Sequence, residues 1–157
     1  MEEKKSLKPR LRLVFGRICS GKGHYTKDAE RTIVVSNLVR AIVNSTDRNT
    51  LQNSLHLDEQ IADSILYNID YSLEHYKDVV VDGIRQVSIV NKILEYYPEA
   101  ELVWLEVPVE ERKRRYENRK DVKDVELFEV ADNKPIELEC QNIFSTFRDK
   151  LTIINNY

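Results

Sequence analysis

Only two cysteines, Cys19 and Cys140, occur in the 157 residues. That is too few for a disulfide framework, and no C-x-x-C or histidine–cysteine spacing offers a structural metal site. Cys19 is expected to pack as a small residue in a reduced compartment. Glycine and proline occur four times each, which argues against long disordered or low-complexity tracts. No apolar run approaches the length of a membrane span, and the opening MEEKKSLKPR lacks the apolar segment of a signal peptide. The expectation is a cytoplasmic protein with no membrane partner. An excess of positive charge is missing too, with 24 lysines and arginines against 27 acids and a net charge of −3. This speaks against a chain whose main task is non-specific nucleic-acid binding. Basic residues do crowd locally, at Lys4 to Arg12 and Arg112 to Lys123, while Asp124 to Glu139 is acidic.

What is present is a hydrophobic share of 41% and a charged share of 32%, enough for one continuous core. The expectation is a single domain over 1–157, with residues 1–10 as a flexible lead-in. The chain is organised around Leu11 to Tyr25, LRLVFGRICSGKGHY. An apolar run ends in Gly16, and Gly21, Lys22 and Gly23 follow at the spacing of a phosphate-binding loop. In such a loop a buried strand leads into a tight turn of inward N–H groups, the lysine adds a positive charge, and the next helix presents its positive end.

Further along, Ile33 to Val35 reads as a second strand, followed by a helix capped by Ser36 or Asn37 and running through Val43. Helix one is expected from Lys22 to about Glu30. Asn44 to His56 is polar and reads as a loop or short helix over one side of a cleft. Asp58 is placed to cap a helix with Ile61, Ile65, Leu66 and Ile69 at helical spacing. Asp78 to Asp82, DVVVD, is continuously apolar between its acids, the mark of a strand buried on both faces of a parallel sheet. A helix over Ile84 to Tyr97, a strand over Leu102 to Val107, and a charged helix over Val109 to Arg119 come next. Helical pieces over Lys123 to Asn133 and Pro135 to Arg148 precede a last strand at Leu151 to Ile154. Alternation of this kind predicts an α/β three-layer sandwich, a five-stranded parallel sheet with helices on both faces.

Ligands in open parallel sheets bind at the carboxyl ends of the strands. That rule gathers the glycine loop, Ser36 to Arg40, Asp82 to Arg85 and the arginine-rich helix at one cleft. Asp82 closes a buried apolar strand, where a carboxylate is costly unless it holds something positive. Beside a phosphate loop the natural partner is the water shell of Mg²⁺; a helix-capping aspartate is the alternative. Arg112, Arg115 and Arg119 share one side of their helix and Arg114 another. With Glu110, Glu111 and Glu117 nearby, a solvated, ion-paired face is the plain reading of that helix.

Gly16 to Gly23, Ser36-Asn37-Leu38-Val39-Arg40, Asp82-Gly83-Ile84-Arg85, and Arg115 with Arg119 occur in the order found in nucleoside monophosphate kinases. The chain resembles those of the adenylate kinase type and their relatives that include dephospho-coenzyme A kinase, over about residues 11 to 155. The resemblance implies an ATP- and Mg²⁺-dependent P-loop phosphotransferase. Gly16, Ser20, Gly21, Lys22, Gly23 and His24 would bind ATP; Ser36, Asn37, Arg40 and Arg85 would bind the acceptor. Arg115 and Arg119 would stabilise the transferring phosphoryl group, and Asp82 would organise the metal through water. The compact GRICSGKG loop and VVVDGIRQ strand end are also similar to phage-type kinases that phosphorylate the hydroxymethyl group of 5-hydroxymethyluracil in DNA, which would make DNA a substrate. A nucleotide-binding regulatory protein that keeps the loop without fast turnover is a third reading.

Two departures from the pattern stand out. Gly23 follows the lysine, as in adenylate kinases, where many other loops carry a Mg²⁺-binding Ser or Thr, but His24 stands where Thr is usual in those enzymes. Asn37 stands where the family often has Asp. A phosphate acceptor is already ionised and needs no base, so the asparagine favours one; Asp47, Asp58 or Glu59 are the carboxylates that could serve a hydroxyl acceptor. No long lid insertion is present, so Lys120 to Asp132 is the segment expected to exclude water.

Overall fold

The computed structural model describes residues 8–45, 56–119 and 126–156. The strands are β1 (Arg10–Phe15), β2 (Arg31–Val34), β3 (Asp78–Asp82), β4 (Glu101–Glu106) and β5 (Leu151–Asn155). The helices are α1 (Lys22–Tyr25), α2 (Val35–Ser45), α3 (His56–His75), α4 (Val87–Tyr96), α5 (Val109–Arg119), α6 (Phe128–Asp132) and α7 (Pro135–Phe147). All pairings are parallel, in the order β2-β3-β1-β4-β5, as expected for a P-loop kinase fold. β1 lies centrally, which places the loop after it in the middle of the sheet's carboxyl edge.

Strand alternation divides the core between two faces. Leu11, Leu13, Phe15, Val79, Val81, Leu102 and Trp104 pack with Ile65 and Ile69 of α3, Ile89 and Ile93 of α4, and Ile143 of α7. Val14, Val80, Val103 and Leu105 point the other way, under Tyr25, Ala29 and Ile154. Burying each such aliphatic side chain contributes roughly 1.5–3 kcal/mol, so the first, broader face holds most of the hydrophobic stabilisation. Among the described residues no helix is long and apolar enough to cross a membrane.

Several boundaries differ from the sequence expectation, each for a local reason. α1 is one turn, not a helix to Glu30. The Thr26 hydroxyl donates to the Gly23 carbonyl at 3.3 Å, and the next bonds, Lys27 to His24 and Ala29 to Thr26, are those of turns. A single turn carries little dipole, so loop amides and Lys22 must supply the positive field. α2 starts at Val35, directly from β2, which puts Ser36 and Asn37 inside its first turn rather than at the cap. Their oxygens accept from Arg40 Nη2, at 3.5 and 2.7 Å. α3 starts at His56, leaving Asp58 in the first turn, where its carboxylate accepts from Ser88 at 3.2 Å. α4 starts at Val87 because Gln86 is extended, which is incompatible with a helix from Ile84. Arg10 belongs to β1 rather than to the lead-in. The expected cleft cover from Asn44 to His56 has its ends in α2 and α3, and its middle, 46–55 with Asp47, lies outside the described residues, as do the first part of the water-excluding segment, 120–125, and Lys4 and Lys5 of the basic opening.

Candidate active site

The loop from Gly16 to Gly23 is built by close approach. A Cβ on Gly16 would meet the Ser20 hydroxyl at 2.2 Å and the Leu105 carbonyl at 3.2 Å, so the turn out of β1 tolerates only glycine. Cys19 and Gly21 adopt φ +61° and +85°. Left-handed backbone at a non-glycine residue costs energy and persists only where surroundings hold it. Here Arg115 Nη1 donates to the Cys19 carbonyl at 3.2 Å, and Asn156 Nδ2 donates to the Ser20 carbonyl at 2.8 Å. Lys22 folds back so that Nζ donates to the Gly16 carbonyl at 3.1 Å. Burial, then repulsion from Arg85, holds its pKa below the usual lysine value.

A cleft of about 580 Å³ opens beside this loop. β2 and α2 supply Val34, Val35, Ser36, Val39 and Arg40; the end of β3 supplies Asp82, Gly83, Arg85 and Gln86. Ile61, Ile136 and Glu137 close the remaining sides, with Lys22 at the loop. One wall is therefore aliphatic, and the polar side carries three cations and two carboxylates. Asp82 Oδ1 is buried and has no hydrogen-bond partner among the described residues. Burial raises its pKa, and the fields of Lys22 and Arg85 offset that only in part.

The orphaned oxygen tests whether Mg²⁺ suits this position. Among the described residues no cluster of three or more metal-ligating side chains exists. Mg²⁺ is commonly held through one or two carboxylates, water and substrate phosphates. The unpartnered oxygen of Asp82 beside the glycine loop fits that mode.

Two acids not singled out by the sequence complete the site. Glu137, 5% exposed, accepts from the Ile18 N–H at 2.7 Å and pairs with Arg85; Arg17 Nε lies 3.8 Å from it. Asp132, 7% exposed, pairs with Arg112 at 2.6 Å and Arg17 at 3.0 Å. Pro135 marks the start of α7 and so places Glu137 in a first turn. Its partners, however, are 52 and 119 residues away in sequence, beyond the reach of local pattern.

The remaining candidates divide. Gly21 and His24 face a second depression of about 410 Å³, shared with Arg115 and Asn156. Asn37 does not line the cleft; it holds Arg40. Arg119 lines neither space, its guanidinium lying 5.1 Å from the centre of the Tyr116 ring. Arg112 is buried against Asp132 and the Val107 and Ile18 carbonyls, and Arg114 pairs with Glu111. Asp58 and Glu59 border a separate hollow with Lys92. The Cys140 thiol approaches the Gly16 carbonyl at 3.8 Å, and burial raises its pKa. Asn156 was invisible to sequence reasoning, since nothing in LTIINNY marks a loop contact.

No protein-family model matches the chain, and no curated protein matches it. Among solved structures 179 chains match. One belongs to the Pnkp1/Rnl/Hen1 RNA repair complex, with a TM-score of 0.61 and 17% identity over 89% of this chain and 46% of that one. The likeness is one of fold, and this chain spans less than half the length of that neighbour.

Proposed function

We propose that the protein is an ATP- and Mg²⁺-dependent phosphotransferase whose acceptor is of nucleotide type, a nucleoside or deoxynucleoside monophosphate first of all. The carrying observation is the convergence of Lys22, the orphaned Asp82 carboxylate, Arg40 and Arg85 on one cleft at the carboxyl edge of the sheet. Phosphoryl transfer asks little covalent chemistry of a protein; positioned cations and alignment do most of the work. The fold neighbour's place in an RNA repair complex supports an acceptor of this chemical class.

In this reading the loop amides and Lys22 hold the donor phosphates, and Lys22 leaves the Gly16 carbonyl to do so. The donor's nucleoside extends across Gly21 toward His24 and Arg115. Asp82 would hold Mg²⁺ through water; the ion, when bound, neutralises phosphate charge. Arg40 and Arg85 orient the acceptor, whose base lies along Val39, Ile61 and Ile136. Arginine suits this because its planar fork pairs with two phosphate oxygens at once. Arg119, in the last turn of α5, reaches the transferring phosphoryl group after leaving the Tyr116 ring. Residues 11–155 act as one kinase domain.

A second reading has its own observation. Glu137 already neutralises Arg85, leaving Arg40 as the acceptor arginine that pairs with no carboxylate among the described residues. That balance suits an acceptor whose reacting group is an uncharged hydroxyl, such as the hydroxymethyl group of 5-hydroxymethyluracil in DNA. An ATP-consumption screen across monophosphates, dephospho-coenzyme A, and unmodified or hydroxymethylated DNA separates the two. Turnover with none of them, combined with tight ATP binding, would replace both by a nucleotide-binding regulatory protein.

A further inference from the structure

The loop's shape is held from the far end of the chain. Asn156 follows β5, the edge strand, and its own N–H donates to the Glu106 carbonyl at 3.0 Å. Its carbonyl accepts from Arg115 Nη2 at 2.7 Å. Fixed at both backbone groups, the residue aims its side-chain amide at the Ser20 carbonyl, 2.8 Å away. The approach is so close that a Cβ on Gly21 would meet Asn156 Nδ2 at 2.5 Å.

Peptide planarity turns this contact into a statement about the loop's interior. In a trans peptide the N–H points opposite to the C=O of the same unit. Holding the Ser20 carbonyl outward therefore turns the Gly21 N–H inward, toward the hollow of the loop. The neighbouring unit is fixed the same way: Arg115 holds the Cys19 carbonyl, and the Ser20 N–H donates across the loop to the Arg17 carbonyl at 3.1 Å. Two consecutive peptide units, one of them following a left-handed Cys19, thus owe their orientation to side chains from outside the loop.

We infer that Asn156 is the positioning residue of the phosphate loop, orienting the Gly21 amide toward bound phosphate through its bond to the Ser20 carbonyl. The inference rests on the reading of Gly16 to Gly23 as a phosphate site and adds a residue that reading does not contain. It also explains Gly21 twice over, by its positive φ and by the space Asn156 takes.

Because Asn156 borders the depression proposed for the donor's nucleoside, the test must separate loop shaping from contact with a base. Calorimetric binding of ATP and of tripolyphosphate, which has no base, is compared in the presence of Mg²⁺ for wild type, Asn156→Ala and Asn156→Leu, which is nearly isosteric and uncharged. Thr152→Ala, an exposed site on the strand before Asn156, serves as control. Loop shaping predicts a loss of about tenfold or more in affinity for both ligands in both variants, with the control unchanged. The Gly21 amide resonance should shift on tripolyphosphate binding in wild type and fail to do so in Asn156→Leu. Loss for ATP with unchanged tripolyphosphate binding would overturn the inference and leave the phosphate site standing. Should wild type bind neither ligand, the phosphate-site reading itself is wrong. If Asn156→Ala does not fold, Asn156→Leu and the amide resonance decide.

Discussion

Arg85 donates to the carboxylate of Glu137, and the other oxygen of that carboxylate accepts the Ile18 N–H at 2.7 Å. One acid in the first turn of α7 thereby ties Arg85, the proposed acceptor arginine, to the glycine loop. Cutting a buried pair on one side costs about 3–5 kcal/mol, because the other charge is stranded. Glu137→Ala should destabilise by that amount in urea unfolding. Glu137→Gln keeps an acceptor for Ile18 and should cost less. Since Gln frees the charge of Arg85, KM for a monophosphate acceptor should fall in that variant.

Lys22→Ala should fold and melt no lower than wild type, because the lysine is held below its usual pKa by burial and its removal relieves that cost. Turnover should drop by about 10²–10³, the loss found when one preorganised donor to developing charge is removed. Circular dichroism melts and initial rates check the two halves.

Asp82 gives a pH signature of opposite sign to an ion-paired carboxylate. Burial holds its folded-state pKa above the ordinary aspartate value. Above both values the ionised carboxylate bears a desolvation cost that only the folded protein carries. As pH falls through the folded-state pKa, the native state takes the proton first and the cost shrinks. It is gone once the unfolded chain is protonated as well. Asp82→Asn should therefore melt above wild type at neutral pH in metal-free buffer, with the difference vanishing at acid pH, while its activity is largely lost. A melting difference that grew on acidification would contradict this assignment.

Asp132 holds Arg112 and Arg17 at 2.6 and 3.0 Å, which makes Arg112 a structural residue. Arg112→Ala should lower stability by about 3–5 kcal/mol. At a temperature where the variant remains folded, kcat should be nearly that of wild type, whereas Arg85→Ala should raise KM for the acceptor with a smaller stability loss.

Much of the fold is written in local pattern. The apolar residues of Leu11 to Phe15, Val79 to Val81 and Leu102 to Leu105 lie between parallel strands and are covered on both faces of the sheet, so composition alone marks them. Gly16 and Gly21 are where the backbone demands glycine, and the loop was legible for that reason. Failures came where a side chain outvoted propensity. Thr26 ends α1 by bonding back to Gly23, and Arg40 draws the oxygens of Ser36 and Asn37 away from a capping role. The extended backbone of Gln86 delays α4 by three residues. In the site, residues attached to strand ends were predictable from topology: Lys22, Arg40, Asp82 and Arg85 share one cleft. Glu137, Asp132 and Asn156 were not, because each has a partner in the loop after β1 more than a hundred positions away, Ile18, Arg17 and Ser20 in turn, and no periodicity encodes such a contact. The arginine helix shows the same limit, since spacing puts Arg112, Arg115 and Arg119 on one side but only packing assigns them to Asp132, the loop carbonyls and the Tyr116 ring.

The most direct test is transfer of the labelled γ-phosphoryl group from ATP with Mg²⁺ present, followed by separation of products from monophosphates and from unmodified or hydroxymethylated DNA. The expected result is label on a nucleotide-type acceptor with wild type and almost none with Lys22→Ala. Label that stays on ATP with every acceptor, or that is transferred equally well by Lys22→Ala, would contradict the assignment of this cleft as a phosphotransferase site.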